Sequence, residues 1–223
     1  AQKVRREILE FAAGQLGCKP DVLDLEDGSI RKGNEAHPLN LLVMGYYGGA
    51  GFEFTADGYF KAPLDHDAPL ESPCVFWEIG WGGAEVEVDP ETGEVTLLKL
   101  VVSGDAGKAI HPLVCQGQDE GAAMMGVSQA LFETMKYDGT RLTNGTPLSY
   151  RVPLASDMPS EFWSITQEQG HGPGPFGAKG MGEGGMLPVA SAVANAIEDA
   201  VGIRLTELPL SPQRVLAAIK AKS

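Results

Sequence analysis

The chain has 223 residues, 43% hydrophobic and 21% charged, enough to bury a real core as one large domain or two small ones. A formal net charge of -13 argues against a nucleic acid partner and against an anionic membrane surface, because no basic field offsets phosphate repulsion. No apolar run reaches membrane-spanning length, and Cys18, Cys74 and Cys115 fit neither a zinc nor an Fe–S spacing, so they read as reduced thiols in a cytoplasmic protein.

Val4, Ile8, Leu9, Phe11, Ala12 and Leu16 fall on one helical face, and Gly17 is placed as its stop. The charges of Lys3, Arg5, Arg6 and Glu7 run straight into that helix, which is unlike a secretory leader. A start at Ala1 leaves two expectations, processing or a piece of a longer chain. Val22-Leu23-Asp24-Leu25 with Ser29-Ile30 predicts a short hairpin around Asp27-Gly28. From Gly33 to Pro73 periodicity fades into Gly, Pro, Tyr and Phe. That segment is too apolar for a disordered linker and reads as an irregular ordered arm that wraps a neighbour.

Ala84-Glu85-Val86-Glu87-Val88 alternates, Asp89 to Gly93 is turn chemistry, and Glu94 to Val102 returns as a second strand. A loop from Ser103 to Lys108 leads to a long helix from about Pro112 to Lys136, with Pro112 in its first turn. Gly117, Gly121 and Met125 share one face of it, which implies that something packs very close there. Turns follow at Tyr137 to Thr140 and at Asn144-Gly145, then an extended stretch from Pro147 to Pro159 and a strand from Glu161 to Gln167. Val189 to Val201 reads as a helix, and Ser211-Pro212 opens a last amphipathic one. Mixed helices and antiparallel hairpins without regular βαβ alternation make the fold class α+β.

The densest chemical signal is Gly177-Ala178-Lys179-Gly180-Met181-Gly182-Glu183-Gly184-Gly185. Glycines let backbone approach a ligand closely, and a carboxylate placed there is held by backbone just ahead of a helix. Two readings stay open from pattern alone: Glu183 is a base presented to something bound, or a solvated Glu on a glycine turn. Gln118, between Gly117 and Gly121, offers donor and acceptor to a flat polar ligand, though the same pattern suits a surface Gln on a glycine-packed helix. Gly172-Pro173-Gly174-Pro175-Phe176-Gly177 formally matches a dinucleotide fingerprint, but its two prolines remove amides that a pyrophosphate needs. The four histidines, His37, His66, His111 and His171, show no metal-ligand spacing; His171, near the glycines, could reach a ligand.

Three motifs in this order together resemble one family, the molybdenum hydroxylases: xanthine dehydrogenase, aldehyde oxidoreductase and carbon monoxide dehydrogenase. Gly117-Gln118-Asp119-Glu120-Gly121 followed by Gly126-Val127-Ser128-Gln129 is similar to their cofactor-binding helix. Gly177 to Gly185 resembles their loop bearing an active-site glutamate. Glu85 to Val95, running on to Asp105 through Pro112, is similar to the strand pair and loop before the helix. The resemblance covers essentially the whole chain and only the C-terminal part of the family's large molybdopterin-binding subunit.

The resemblance implies a molybdopterin-binding region over 1-223. Residues 1-80 would be an N-terminal helix and irregular arm, and 81-223 the cofactor-binding and catalytic-glutamate part. It implies molybdenum-dependent hydroxylation of an electron-poor carbon, in an aldehyde or an N-heterocycle such as a purine, with oxygen from water. Glu183 would be the general base, and Gln118, Gly117, Lys179, Gly180, Met181 and Gly182 would hold the cofactor. No side chain would bind the metal directly, since molybdenum is held through the pterin, expected in its cytosine dinucleotide form. The family's earlier elements are missing, which implies a partner chain carrying the other half of the molybdenum site. Fe–S clusters and FAD would sit on partner subunits. Met186 and Phe176 are expected in the core rather than at the substrate. The competing expectation is an assembly or storage module that keeps the fold without turnover.

Overall fold

The computed structural model describes residues 1–61, 64 and 74–222. The chain divides into two compact units, Ala1–Lys61 and Ala62–Ser223.

In the first unit, helix α1 (Gln2–Leu16) ends where expected. Gly17 adopts φ 60°, ψ 41°, a left-handed conformation in which its amide bonds the Ala13 carbonyl. The helix buries Ile8, Leu9, Ala12 and Ala13 against Leu23 and Ile30. Those two belong to strands β1 (Leu23–Glu26) and β2 (Ser29–Lys32), which pair antiparallel. Asp27 and Gly28 turn between them with φ 47° and 70°, both positive as a two-residue hairpin of this hand requires.

The segment beyond Gly33 departs from the irregular arm expected of it. Strand β3 (Glu35–Pro38) joins β2, and helix α2 (Leu39–Tyr47) follows at once. Leu-Asn-Leu-Leu-Val-Met-Gly-Tyr-Tyr is apolar around nearly its whole circumference, so it carries no 3.6-residue alternation to detect. Phe11, Tyr46, Tyr47, Phe52 and Phe54 form a ring cluster, with Tyr47 and Phe52 stacked at 4.2 Å. The part of the arm at 62–63 and 65–73 lies outside the described residues.

The second unit is built on a three-stranded sheet. Strands β4 (Gly80–Val88) and β5 (Val95–Asp105) form the expected antiparallel pair. Asp89 ties the turn between them, accepting from the Glu91 amide at 2.8 Å and the Thr92 hydroxyl at 2.9 Å. Helix α3 (Pro112–Leu131) stops short of the expected Lys136. The reason is Asn144, whose buried amide group accepts from the Lys136 amide and donates to the Thr134 carbonyl, drawing that backbone out of the helix. A two-stranded ribbon of β6 (Tyr137–Asp138) and β7 (Arg141–Leu142) follows. Strand β8 (Glu161–Gln167) then pairs with β5 in parallel, so one βαβ crossover through α3 sits inside a fold that reads as hairpins. Helices α4 (Val189–Val201) and α5 (Pro212–Lys222) complete the unit.

The core is Leu100 and Val102 of β5, Val127 of α3, and Val189, Val193 and Ile197 of α4, all fully buried. Each such side chain contributes about 1.5–3 kcal/mol by leaving water. Ile197→Val should therefore lower unfolding stability by about 0.5–1.5 kcal/mol, read as a reduced denaturation midpoint; an unchanged midpoint would mean the site repacks. Helices α3 and α4 cross at Gly126, where an added Cβ would lie 2.7 Å from the Val189 Cβ. The expected close approach at Gly117 and Gly121 is not made within the chain: nothing among the described residues comes within 4 Å of a Cβ built there. Among the described residues no helix is long and apolar enough to cross a membrane.

Candidate active site

The C-terminal end of β5 organises the site. Asp105, buried there, accepts from the Gly107 amide at 2.8 Å and from the Lys179 ammonium at 2.5 Å. The Lys179 and Asp105 side chains are only 8% and 7% exposed. Burial works to raise the Asp105 carboxyl, but the Lys179 ammonium and backbone amides outweigh it and hold the group below its ordinary value. Lys179 also donates to the Trp77 carbonyl at 2.9 Å. Its side chain is therefore committed to protein partners, which alters the cofactor contact expected of it.

The glycine segment is laid onto the loop after β5 by backbone. The Lys179 amide donates to the Ala106 carbonyl at 2.9 Å, and the Gly170 amide to the Gly107 carbonyl at 2.7 Å. Gly107, at φ 62°, lies so close that a Cβ would meet the Gly177 carbonyl at 2.2 Å. Within the segment, the Gly172 and Gly174 amides donate to the Gly177 and Ala178 carbonyls. The formal dinucleotide fingerprint thus spends its amides on its own fold. Phe176, expected in the core, is 76% exposed at φ 61°, a conformation rare for an aromatic residue.

Three consecutive residues ahead of β4 line the other side of the segment. A Cβ on Gly180 would sit 3.0 Å from the Phe76 ring, the Trp77 carbonyl takes the Lys179 ammonium, and a Cβ on Gly184 would sit 1.7 Å from the Glu78 carboxylate. Glu183 lies between these anchored points at φ -111°, ψ 8°, heading a short 3-10 turn over Gly184–Met186 that runs into α4. Its side chain is exposed.

Two residues before Glu183, Met181 faces an open cleft of about 220 Å³ lined also by Ala106, His111, Cys115, Gln118 and Lys179; Glu183 is not among the lining residues. Gln118, Lys179 and Met181, singled out separately in the sequence, thus share one surface. Gly117 and Gly182 have nothing within 4 Å of a Cβ position, leaving their backbone approachable. Gly180 is exposed, with the Phe76 ring on the side where a Cβ would sit. His171 is exposed and does not line the cleft.

Sequence reasoning missed Asp105, Glu78 and Asp119. Asp119 is 1% exposed and sits in line with Ala122, Ala123 and Gly126 on the inward face of α3. An acid in an apolar helical stripe is a readable signal. Glu78, flanked by Trp77 and Ile79, offers none. Burial pushes the Asp119 carboxyl up, partly opposed by a hydroxyl bond from Ser164.

The donor set suits a flat, polar, phosphate-bearing cofactor. Gln118 offers an amide and two glycines leave backbone open, while the Lys108 ammonium in the lining is paired with Glu168 at 2.9 Å. Cofactor and drug-sized pockets typically run about 300–1,000 Å³, so the cleft holds part of such a group rather than all of it.

Comparison with known proteins shows one family. Residues 1–159 match the molybdopterin cofactor-binding domain family. The chain is 32% identical, over 97% of its length, to the 6-hydroxypseudooxynicotine dehydrogenase complex subunit gamma of Paenarthrobacter nicotinovorans, of which it covers 27%. It is 30% identical, over 99% of its length, to the probable hypoxanthine oxidase of Escherichia coli, of which it covers 22%. The chain therefore spans about a quarter of the length of these relatives. Among solved structures, the aldehyde oxidoreductase of Desulfovibrio gigas superposes with a TM-score of 0.61 at 30% identity, over 70% of this chain and 17% of that one. The quinoline 2-oxidoreductase of Pseudomonas putida 86 shares the fold at a TM-score of 0.72, 22% identical over 98% of this chain and 28% of that one.

Proposed function

The chain belongs to the molybdenum hydroxylase family, as part of its molybdopterin-binding large subunit, and we propose that it supplies the general base of that subunit's active site, Glu183. The observation that carries this reading is the position of Glu183. It is exposed two residues along the same anchored turn from Met181, which lines the cleft together with Gln118; Glu183 itself does not line it. A carboxylate held by tethered backbone can accept a proton repeatedly from one place. Proton transfer of this kind runs in a site closed to water, so further protein must cover Glu183 before it works.

When bound, the molybdenum cofactor supplies the redox centre that accepts two electrons from the substrate carbon. This chain's part is to hold and orient. Gln118 would hold the pterin through its amide, with Met181 beside it in the cleft, and the open backbone at Gly117 and Gly182 would let the cofactor come close. Lys179 and Gly180 act from beneath, fixing the loop through Asp105 and Phe76. The part-sized cleft favours a second protein segment or partner chain completing the molybdenum site. Partner subunits would hold the Fe–S clusters and FAD that supply electron transfer, and the pterin would be the cytosine dinucleotide form. The substrate class is an aldehyde or an N-heterocycle, the range that the relatives' names span. Three free cysteines are compatible with a reducing cytoplasm.

Molybdenum analysis of the complex purified with its partners tests the reading. Near-stoichiometric metal is expected, and a metal-free complex would instead indicate an assembly or storage role. Gln118→Ala should weaken cofactor retention by roughly tenfold or less, the worth of about 0.5–1.5 kcal/mol for one hydrogen bond. Unchanged retention during dialysis would remove Gln118 from the site.

A further inference from the structure

Beneath the glycine turn lies a pair of carboxyl groups that the proposed chemistry does not use. The Glu78 Oε1 is shut off from solvent and has no hydrogen-bond partner among the described residues. It presses on Gly184, where a Cβ would lie 1.7 Å from it. Asp119 approaches the next residue from α3: a Cβ on Gly185 would lie 2.8 Å from the Asp119 carbonyl oxygen and 3.1 Å from its Oδ1. A Cβ on Gly104 of β5 would likewise lie 3.1 Å from that Oδ1. Two acids therefore flank one two-glycine step, and only residues without side chains fit between them.

The charged groups facing Glu78 are Asp119 on α3, Lys179 on the glycine segment and Asp105 at the end of β5. Burial, then the Asp119 charge, raises the Glu78 carboxyl above its ordinary value, with Lys179 opposing. Two carboxyl groups in one desolvated space do not both ionise readily. A neutral Glu78 can stay packed on the turn. An ionised one, with its Oε1 shut off from solvent and Asp119 facing it, gains by moving out toward water and leaves Gly184 unsupported.

We propose that Glu78 is the positioning residue for Glu183: its carboxyl group packs against Gly184, holds the turn from which Glu183 projects, and releases it on ionisation. The proposal rests on the general-base role assigned to Glu183 above.

The test uses the assembled complex and two readouts. The first is hydrogen exchange of amides 180–187, corrected for intrinsic rates. Opening the turn returns Glu78 to an ordinary carboxyl and so releases a proton. Wild-type protection should therefore fall by up to about tenfold per pH unit above 4.5, until the raised folded value is passed, and then level off. Glu78→Gln, neutral at every pH and of the same shape, should give protection that does not change with pH. Glu78→Ala should lose protection throughout. The second readout is the pH profile of kcat, which should decline in wild type where protection has fallen to a few-fold and the open turn is populated, and should not decline there in Glu78→Gln. Equal protection in wild type and Glu78→Gln at all pH values would overturn the proposal. So would superimposable kcat profiles at pH values where wild-type protection has been lost and that of Glu78→Gln has not, since the hold would then not reach Glu183. A complex that oxidises no substrate would instead sink the hydroxylase reading, while pH-dependent protection abolished by Glu78→Gln would still identify Glu78 as the residue that holds the turn.

Discussion

Glutamine at position 183 is expected to lower kcat of the assembled complex by about 10²–10⁴-fold, the contribution typical of one positioned general base. Molybdenum content should be unchanged, because the Glu183 side chain is exposed and the turn is held by other groups: Lys179, Phe76, Glu78 and the Ala106 carbonyl. Glutamine keeps the size and hydrogen-bonding reach of the side chain and removes only its ability to take a proton. Steady-state kinetics with an aldehyde and an N-heterocycle, set beside metal analysis of the same preparation, provide the check. Turnover within a few-fold of wild type would refute the base. Loss of molybdenum together with turnover would make Glu183 a cofactor-holding residue instead.

The second large effect is expected at Lys179. Lys179→Met should destabilise the protein by about 3–5 kcal/mol, because it leaves the buried Asp105 carboxylate without its counter-charge. Asp105 would keep only backbone donors such as the Gly107 amide. The pairing holds the folded Asp105 below its ordinary value of 3.8, so the stability it confers is fully present above 3.8 and lost as pH falls through the folded value. Lys179→Met should lose this acid-side dependence along with the stability. Pairing it with Asp105→Leu should restore much of the loss, since an apolar pair can replace a buried ion pair at little cost. Calorimetry over a pH series measures all three variants. A Lys179→Met protein as stable as wild type but depleted in molybdenum would return Lys179 to the cofactor, as the family resemblance alone implied.

Much of the scaffold was legible in the chain. Gly17, Asp27-Gly28 and Asp89 to Gly93 each impose a backbone conformation that few residues adopt, so these punctuation marks survive folding unchanged. The β4–β5 pair and α4 carry periodicities of two and 3.6; α4 lies where the pattern put it, while β4 starts earlier, at Gly80, and β5 runs on to Asp105 through residues that read as a loop. Helix α2 was invisible because apolar residues surround it, and the parallel β5–β8 pairing because period-two alternation is blind to strand direction. Within the site, the glycine turn and Gln118 could be named from motif order, but the motif says nothing of the Lys179 ammonium turning inward to Asp105.

What the sequence determined by itself is the turn, with its glycines and its single carboxylate ahead of a helix. Local backbone freedom and local spacing are properties of adjacent residues and need no partner. What the tertiary structure decided is how the turn is held. Lys179 meets the Trp77 carbonyl across 102 residues of chain, and Glu78 meets Gly184 from the same distant segment. Such contacts follow from where two strands and a crossover helix bring the backbone, and no residue near Glu183 encodes them. The carboxylate is written in the sequence, and the floor beneath it exists only once the chain has folded.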